Sequence, residues 1–205
     1  SDLPVRRGQF NFQRITFKYF KDDTARLEGF KAGEFDWIAE YSAKNWARGH
    51  VGRHYRSGEI VKRQFKHSNA AGMQGFVLNT RRAQFADARV RKALALAFDF
   101  EWMNRQIFYG QYLRSPSYFT NSEMQAQGRP SDAELSLIRS LKERVQPKIL
   151  SDEAPVPATT KAPESLRGNL RQAIALLSAA GWVVADDGRL RNAAGEAFEF
   201  EVLSG

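Results

Sequence analysis

The 205-residue chain is long enough to bury a core, and its 42% apolar and 12% aromatic content is that of a folded protein, which excludes disorder throughout. With no cysteine, it can form no disulfide, Cys-ligated zinc site or thiol nucleophile. The net charge is +8, but residues 1–72 hold 14 Lys and Arg against 8 Asp and Glu while residues 73–205 hold 17 against 15, so the excess is a local patch, mostly between Lys44 and Lys66.

No apolar run approaches the roughly 18 residues of a membrane helix, and "SDLPVRRGQF" has no apolar signal core. The chain is therefore either soluble as it stands or has lost a targeting segment. "RITFKYF" (14–20) alternates Ile15, Phe17 and Tyr19 with Thr16 and Lys18, the period of a half-buried strand. Asp22 and Asp23 can cap a helix over 24–33 with Ala25, Leu27 and Phe30 on one face, stopped at Gly33. "EFDWIAE" (34–40) then predicts a second strand, and strand, helix and strand with short connections predict a parallel βαβ unit.

Residues 42–58 mix Gly and Ser with basic residues and predict a loop holding a turn of helix. Further strands are predicted at 59–65 and 73–79, and the linker with Gly72 and Gly75 is a candidate boundary. Asp87 is a good N-cap for a helix with Val90, Leu94, Ala97 and Phe98 inward, and Asp99 for a second helix ended by Gly110. Ser131 and Glu134 stand at capping-box spacing ahead of Leu135, Ile138 and Leu141. Residues 146–163 contain four of the seven prolines and read as an extended surface loop. "ESLRGNLRQAIALLSAAGW" predicts a helix with Leu166, Leu170, Ile174 and Leu177 in register and Gly181 just beyond it. A hairpin at Asp187-Gly188 and a strand with Phe198, Phe200 and Val202 inward complete the chain. That last strand has no partner following it, which suggests part of a longer protein.

The candidates for chemistry are few. His50 and His54, four apart, would share a helix face as zinc ligands, but Gly49 and Gly52 oppose that helix and solvated loop histidines are the simpler reading. Neither a nucleophile elbow, nor a dinucleotide or phosphate loop, nor H-E-x-x-H occurs, so no catalyst is visible. The five basic residues from Arg81 to Lys92 could meet phosphate or form the solvated face of a helix. Aromatic residues gather in "FDWIAEYSAKNW" and "FDFEWMNRQIFYGQYLRSPSYF", as core or as the lining of a groove. The residues alone thus predict a soluble α/β protein, with nucleic acid or an anionic polymer at the basic patch 44–66 as an alternative partner.

"FVLNTRRAQFADARVRKALALAFDFEWMN" resembles the signature of family 5 extracellular solute-binding proteins, the peptide-binding components of ABC importers, through Asn79, Phe85, Asp87, Val90, Arg91, Ala93, Leu94, Ala97 and Asp99. "ITFKYFKDDTARLEGFKAGEFDW" is similar to the family's strand-helix-strand segment, and "SYFTNSEM" and "NLRQAIALLSAAGW" resemble its oligopeptide and microcin C uptake branch. The resemblance implies a portion of a bilobal, class II periplasmic-binding-protein-like α/β fold, with mixed sheets and flanking helices. Residues 1–72 would belong to lobe I, 73–79 to a hinge-crossing strand and 80–205 to lobe II. It further implies a periplasmic, monomeric, non-enzymatic protein without cofactor, metal or nucleic acid, holding a peptide or peptide-like ligand for an ABC permease and its ATPase subunits. Family members are much longer, so the chain alone, with half a cleft, is expected to hold peptide poorly. Position in the family pattern points to Glu40, Tyr41, Gln74 and Phe76 as ligand contacts, with Asn45 and Trp46 beside them.

Overall fold

A computed structural model describes residues 3–9 and 11–203; Ser1, Asp2 and Phe10 of the N-terminal stretch, and Ser204 and Gly205 of the predicted last strand, lie outside the described residues. The chain divides after Gln64 into two compact units.

In the first unit, α1 (Asp23–Lys31) starts where Asp22 accepts the Ala25 amide at 2.8 Å and ends ahead of Gly33, whose φ of +77° closes the turn, both as predicted. Leu27 is its buried anchor. Around it Phe20, Phe30 and Phe35 meet in tilted ring pairs at 5.4–5.5 Å. The predicted loop over 42–58 folds into a π-helical turn, Asn45–Gly49, and the short α2 (Arg53–Ser57). Gly49 lies against Leu27 so closely that a Cβ there would stand 2.7 Å from Leu27 Cδ2. Gly52, at φ +133°, breaks the chain between the two pieces.

In the second unit, the four-residue α3 (Ala83–Ala86) leads into α4 (Ala88–Ala97), which begins where Asp87 accepts the Arg89 amide at 2.7 Å. Asp99 then caps α5 (Phe100–Gln106) through the Trp102 amide, and Gly110 ends that segment at φ +71°. The predicted capping box is present in α6 (Asp132–Ile138), with Ser131 and Glu134 each accepting the other's amide. This helix is shorter than the predicted 131–145 and continues only as a 3₁₀ turn to Leu141. The proline-rich stretch contains the short α7 (Lys148–Ser151) and is otherwise irregular. Last come α8 (Leu166–Ala179) and the antiparallel pair β1 (Val183–Val184) and β2 (Leu190–Arg191), joined through Gly188 at φ +76°.

The core of this unit lies between α4 and α8, where Phe85, Val90, Ala93, Leu96, Ala173 and Leu177 are buried and Trp182 and Phe198 close one end. Here the faces differ from prediction. Val90 faces inward as expected, but its buried companions are Ala93 and Leu96, while Ala97 is exposed. On α8 the buried row is Asn169, Ala173 and Leu177, so Leu170 and Ile174 are left 40% and 52% exposed. Each helix thus buries an alanine, Ala93 or Ala173, in the shared core, and small side chains there allow closer helix approach than a leucine stripe would.

The strands differ too. Among the described residues the only sheet is β1 with β2, extended by a single bridge from Arg191 to Ala197. The segments 14–20, 34–40, 59–65, 73–79 and 199–203 form no ladder, so the predicted βαβ unit and mixed sheets are absent from these residues. Alternation marks a chain able to pair, but a strand exists only where another backbone lies alongside to accept its N–H groups. Ile15, Phe17, Val61 and Val77 are accordingly exposed.

Candidate functional site

Four of the six predicted contacts sit on one loop of the first unit. The chain leaves residue 38, and Arg26 of α1 holds the Ala39 carbonyl at 3.3 Å. Glu40 then turns inward. Its Oε1 accepts the Ser42 amide at 2.8 Å, and its Oε2 lies 3.0 Å from His50 Nε2, leaving the carboxylate side chain 4% exposed. Ser42 Oγ accepts the Asn45 amide at 3.2 Å and Ser42 O accepts the Trp46 amide at 2.8 Å, which starts the π-helical turn. Tyr41, between these anchors, points out and is 86% exposed. Trp46 is half-buried under the Lys62 ammonium, 4.4 Å from its ring centroid, and its carbonyl accepts from the same ammonium.

His50 departs from its reading as a solvated loop histidine. It is 6% exposed, packs edge-on to Phe30, and meets the Tyr55 hydroxyl with Nδ1 at 2.7 Å. A carboxylate can only accept, so Nε2 carries a proton toward Glu40, while Nδ1 makes a hydrogen bond with the Tyr55 hydroxyl. Burial raises the Glu40 pKa, but the Ser42 amide, His50 and the Asn45 side chain together outweigh it and hold the group below its ordinary value. Burial, with Glu28 and Glu40 adding to it, pushes the Tyr55 hydroxyl up. His54 lies past the Gly52 break, on α2, paired with Glu59 instead of sharing a face with His50. Among the described residues no group of three His, Cys, Asp or Glu is placed to hold a metal ion.

Gln74 and Phe76 belong to the second unit, where 73–77 is exposed and without regular structure. The segment leading to them is tied down: Ala71 N–H donates to Thr120 O at 2.8 Å, and Asn121 Nδ2 donates to the His67 and Asn69 carbonyls. Phe76 is 71% exposed and meets Phe98 edge-on at 6.1 Å. Arg114 stacks on Phe98 at 5.1 Å and donates to the Phe98 and Ala158 carbonyls.

Behind Phe98 lies a cluster that sequence reasoning missed. Glu101 is buried and accepts from Thr159 Oγ1 at 2.6 Å and from the Thr160 amide at 3.1 Å, with the Thr160 hydroxyl 3.1 Å away and its single proton shared with Asp99. Asp99 accepts from Thr160 Oγ1 at 2.7 Å, and Asn169 of α8 donates to Thr159 O at 3.0 Å. Part of the stretch read as a surface loop is thereby clamped onto the start of α5. The partners stand 58 to 61 residues apart, so no spacing in the sequence could have shown them.

The five basic residues after Asn79 are also placed. Arg89 pairs with Asp87, and Arg91 donates to the Phe85 and Ala86 carbonyls, closing α3. Arg81, Arg82 and Lys92 are exposed.

Residues 5–205 match the family described as bacterial extracellular solute-binding proteins, family 5 middle. The chain belongs to that family. It is 38% identical over 203 residues to the uncharacterized protein YejA of Escherichia coli K12, covering 99% of this chain and 33% of that protein. Agrobacterium fabrum C58 has two similar proteins. One, named as a probable peptide-binding protein YejA, is 33% identical, covering 98% of this chain and 33% of its own length. The other, named peptidoglycan-binding protein YepA, is 35% identical, covering 99% and 34%. The chain thus spans about a third of the length of these relatives. Membership implies a periplasmic-binding-protein-like fold. No helix among the described residues is long and apolar enough to cross a membrane.

Proposed function

We propose that the chain is part of a periplasmic solute-binding component that captures peptides or peptide-like solutes and hands them to an ABC permease with its ATPase subunits. The observation that carries this reading is the family match over residues 5–205, joined by a similar protein named for peptide binding. Tyr41, with Asn45 and Trp46 beside it, presents an exposed aromatic side chain from a hydrogen-bonded loop, which suits an extended ligand held by backbone hydrogen bonds and ring contacts. Gln74 and Phe76 complete the proposed contacts from 73–79, the proposed hinge crossing between lobe I (1–72) and lobe II (80–205). Capture proceeds by closure of two lobes on the ligand, which stabilises the closed state recognised by the permease. No bond is made or broken, no cofactor is needed, and the protein acts as a monomer in the periplasm.

Calorimetric titration of the full-length protein with a mixed peptide library tests the reading; no detectable heat from any peptide would refute it. The relative named for peptidoglycan binding favours a second ligand class, peptides derived from the cell wall. Titration with cell-wall stem peptides beside ordinary peptides of equal length separates the two.

A further inference from the structure

We infer that His50, backed by Tyr55, is a positioning residue for the loop that carries Tyr41, and that Glu40 acts as the strut between them; this rests on the solute-binding reading above.

Both oxygens of Glu40 are spent inside the unit, one on the Ser42 amide at 2.8 Å and the other on His50 at 3.0 Å. With each oxygen already bonded inside the unit and 4% of its side chain exposed, this carboxylate faces the interior of the unit. It sets the chain direction on either side of Tyr41. Residue 40 is pulled inward by His50, and residue 42 is held by the carboxylate, so the residue between them is forced outward. Asn45 and Trp46 are then placed by Ser42 through its hydroxyl and carbonyl.

The strut needs a group that donates to a carboxylate at one end and hydrogen-bonds a hydroxyl at the other. Imidazole does both, and the distances of 3.0 Å to Glu40 and 2.7 Å to Tyr55 match that use. Also facing the chain of contacts are the Asn45 side chain against Glu40, the Phe30 ring against His50, and Glu28, whose charge acts on Tyr55. An apolar core residue in place of His50 would fill the same space between Phe30 and Tyr55 but would leave Glu40 buried and short of its donor, an arrangement that opens the loop to regain water. Glutamine keeps a donor and an acceptor, so it separates the role of hydrogen bonding from that of volume.

The experiment compares the full-length protein with its His50→Phe, His50→Gln and Tyr55→Phe variants by three readouts: hydrogen exchange of the Ser42 amide, the ¹⁹F resonance of 5-fluorotryptophan at Trp46, and peptide titration. His50→Phe should speed Ser42 exchange about tenfold or more, shift the Trp46 resonance and weaken peptide binding about tenfold. His50→Gln should recover each to within about threefold, and Tyr55→Phe should fall between them. If His50→Phe does not fold, Tyr55→Phe, which removes only a hydroxyl, carries the comparison, and Ser42 exchange identical to that of the parent in Tyr55→Phe overturns the inference. Unchanged exchange and resonance in folded His50→Phe, a glutamine no better than phenylalanine, or peptide affinity that holds while the loop loosens would each overturn it as well. Exchange that responds as stated in a protein that binds no peptide supports the strut and removes the solute reading.

Discussion

The Thr159 hydroxyl and the Thr160 amide converge on the Glu101 carboxylate, with the Thr160 hydroxyl shared between it and Asp99. They hold its pKa at about 2 although burial alone would raise it above the ordinary 4.5. A carboxylate depressed by folding stabilises the protein fully above its unfolded value, and that contribution is lost as pH falls from about 4.5 through about 2. Glu101→Gln is expected to lower the free energy of unfolding by about 2 kcal/mol at neutral pH, since it replaces charge-assisted hydrogen bonds by neutral ones and turns one acceptor oxygen into a donor nitrogen. Urea titrations of both forms should show that gap at pH 7 and its near disappearance toward the acid limit. Glu40 is depressed in the same direction, so its share of stability also fades on acidification. At this scale the sequence was half legible. Asp22, Asp87, Asp99 and Ser131 were readable as caps because a cap bonds an amide two or three residues away. His50 was not, because its partners are ten residues back and five ahead, across two turns that had to form first.

Among the elements, α4 and α8 show how composition and packing part company. Hydropathy alone favours Leu166, Leu170, Ile174 and Leu177 as the inner row of α8, yet Ala173 is buried in the same core as Ala93 while Leu170 and Ile174 are partly bare. Ala173→Leu should therefore cost about 1–3 kcal/mol through overpacking. Ile174→Ala, on the exposed flank, should cost less than about 1 kcal/mol. Chemical denaturation of the pair decides between the two rows: if Ile174→Ala is the more damaging, the predicted stripe is the buried one. Asp22→Ala should remove about 1 kcal/mol by freeing the first-turn amides of α1, visible as a lower thermal midpoint. The predicted strands failed for a different reason than the helix faces. A helix closes its hydrogen bonds within itself, whereas 14–20 and 59–65 can do so only with a neighbour that the described residues do not supply.

For the whole molecule, the separation into units after Gln64 places Glu40, Tyr41, Asn45 and Trp46 in one and Gln74 and Phe76 in the other. The proposed contacts lie in both units, so each set is tested by its own substitution. Tyr41→Ala and Phe76→Ala in the full-length protein should each weaken peptide binding by roughly tenfold, as buried aromatic contacts do, with little effect on the melting temperature of the free form. Calorimetry that finds either change silent removes that side chain from the contact set. The +8 charge carries the competing expectation of nucleic-acid binding. Retention on duplex or single-stranded DNA should be absent at about 150 mM salt, and a steep salt-dependent retention would revive that alternative.

Family, helix positions and most helix ends were determined by the sequence itself, because each is a local pattern: a cap bonds two or three residues away, a glycine closes a turn, and the Asn79 to Asp99 signature is read in one stretch. Which helix face is buried, why His50 lies beneath Tyr41, and how Thr159 and Thr160 clamp Glu101 were decided only by tertiary structure. Those outcomes depend on groups brought together after the chain has folded back, and a buried carboxylate is favourable only when its distant partner has arrived.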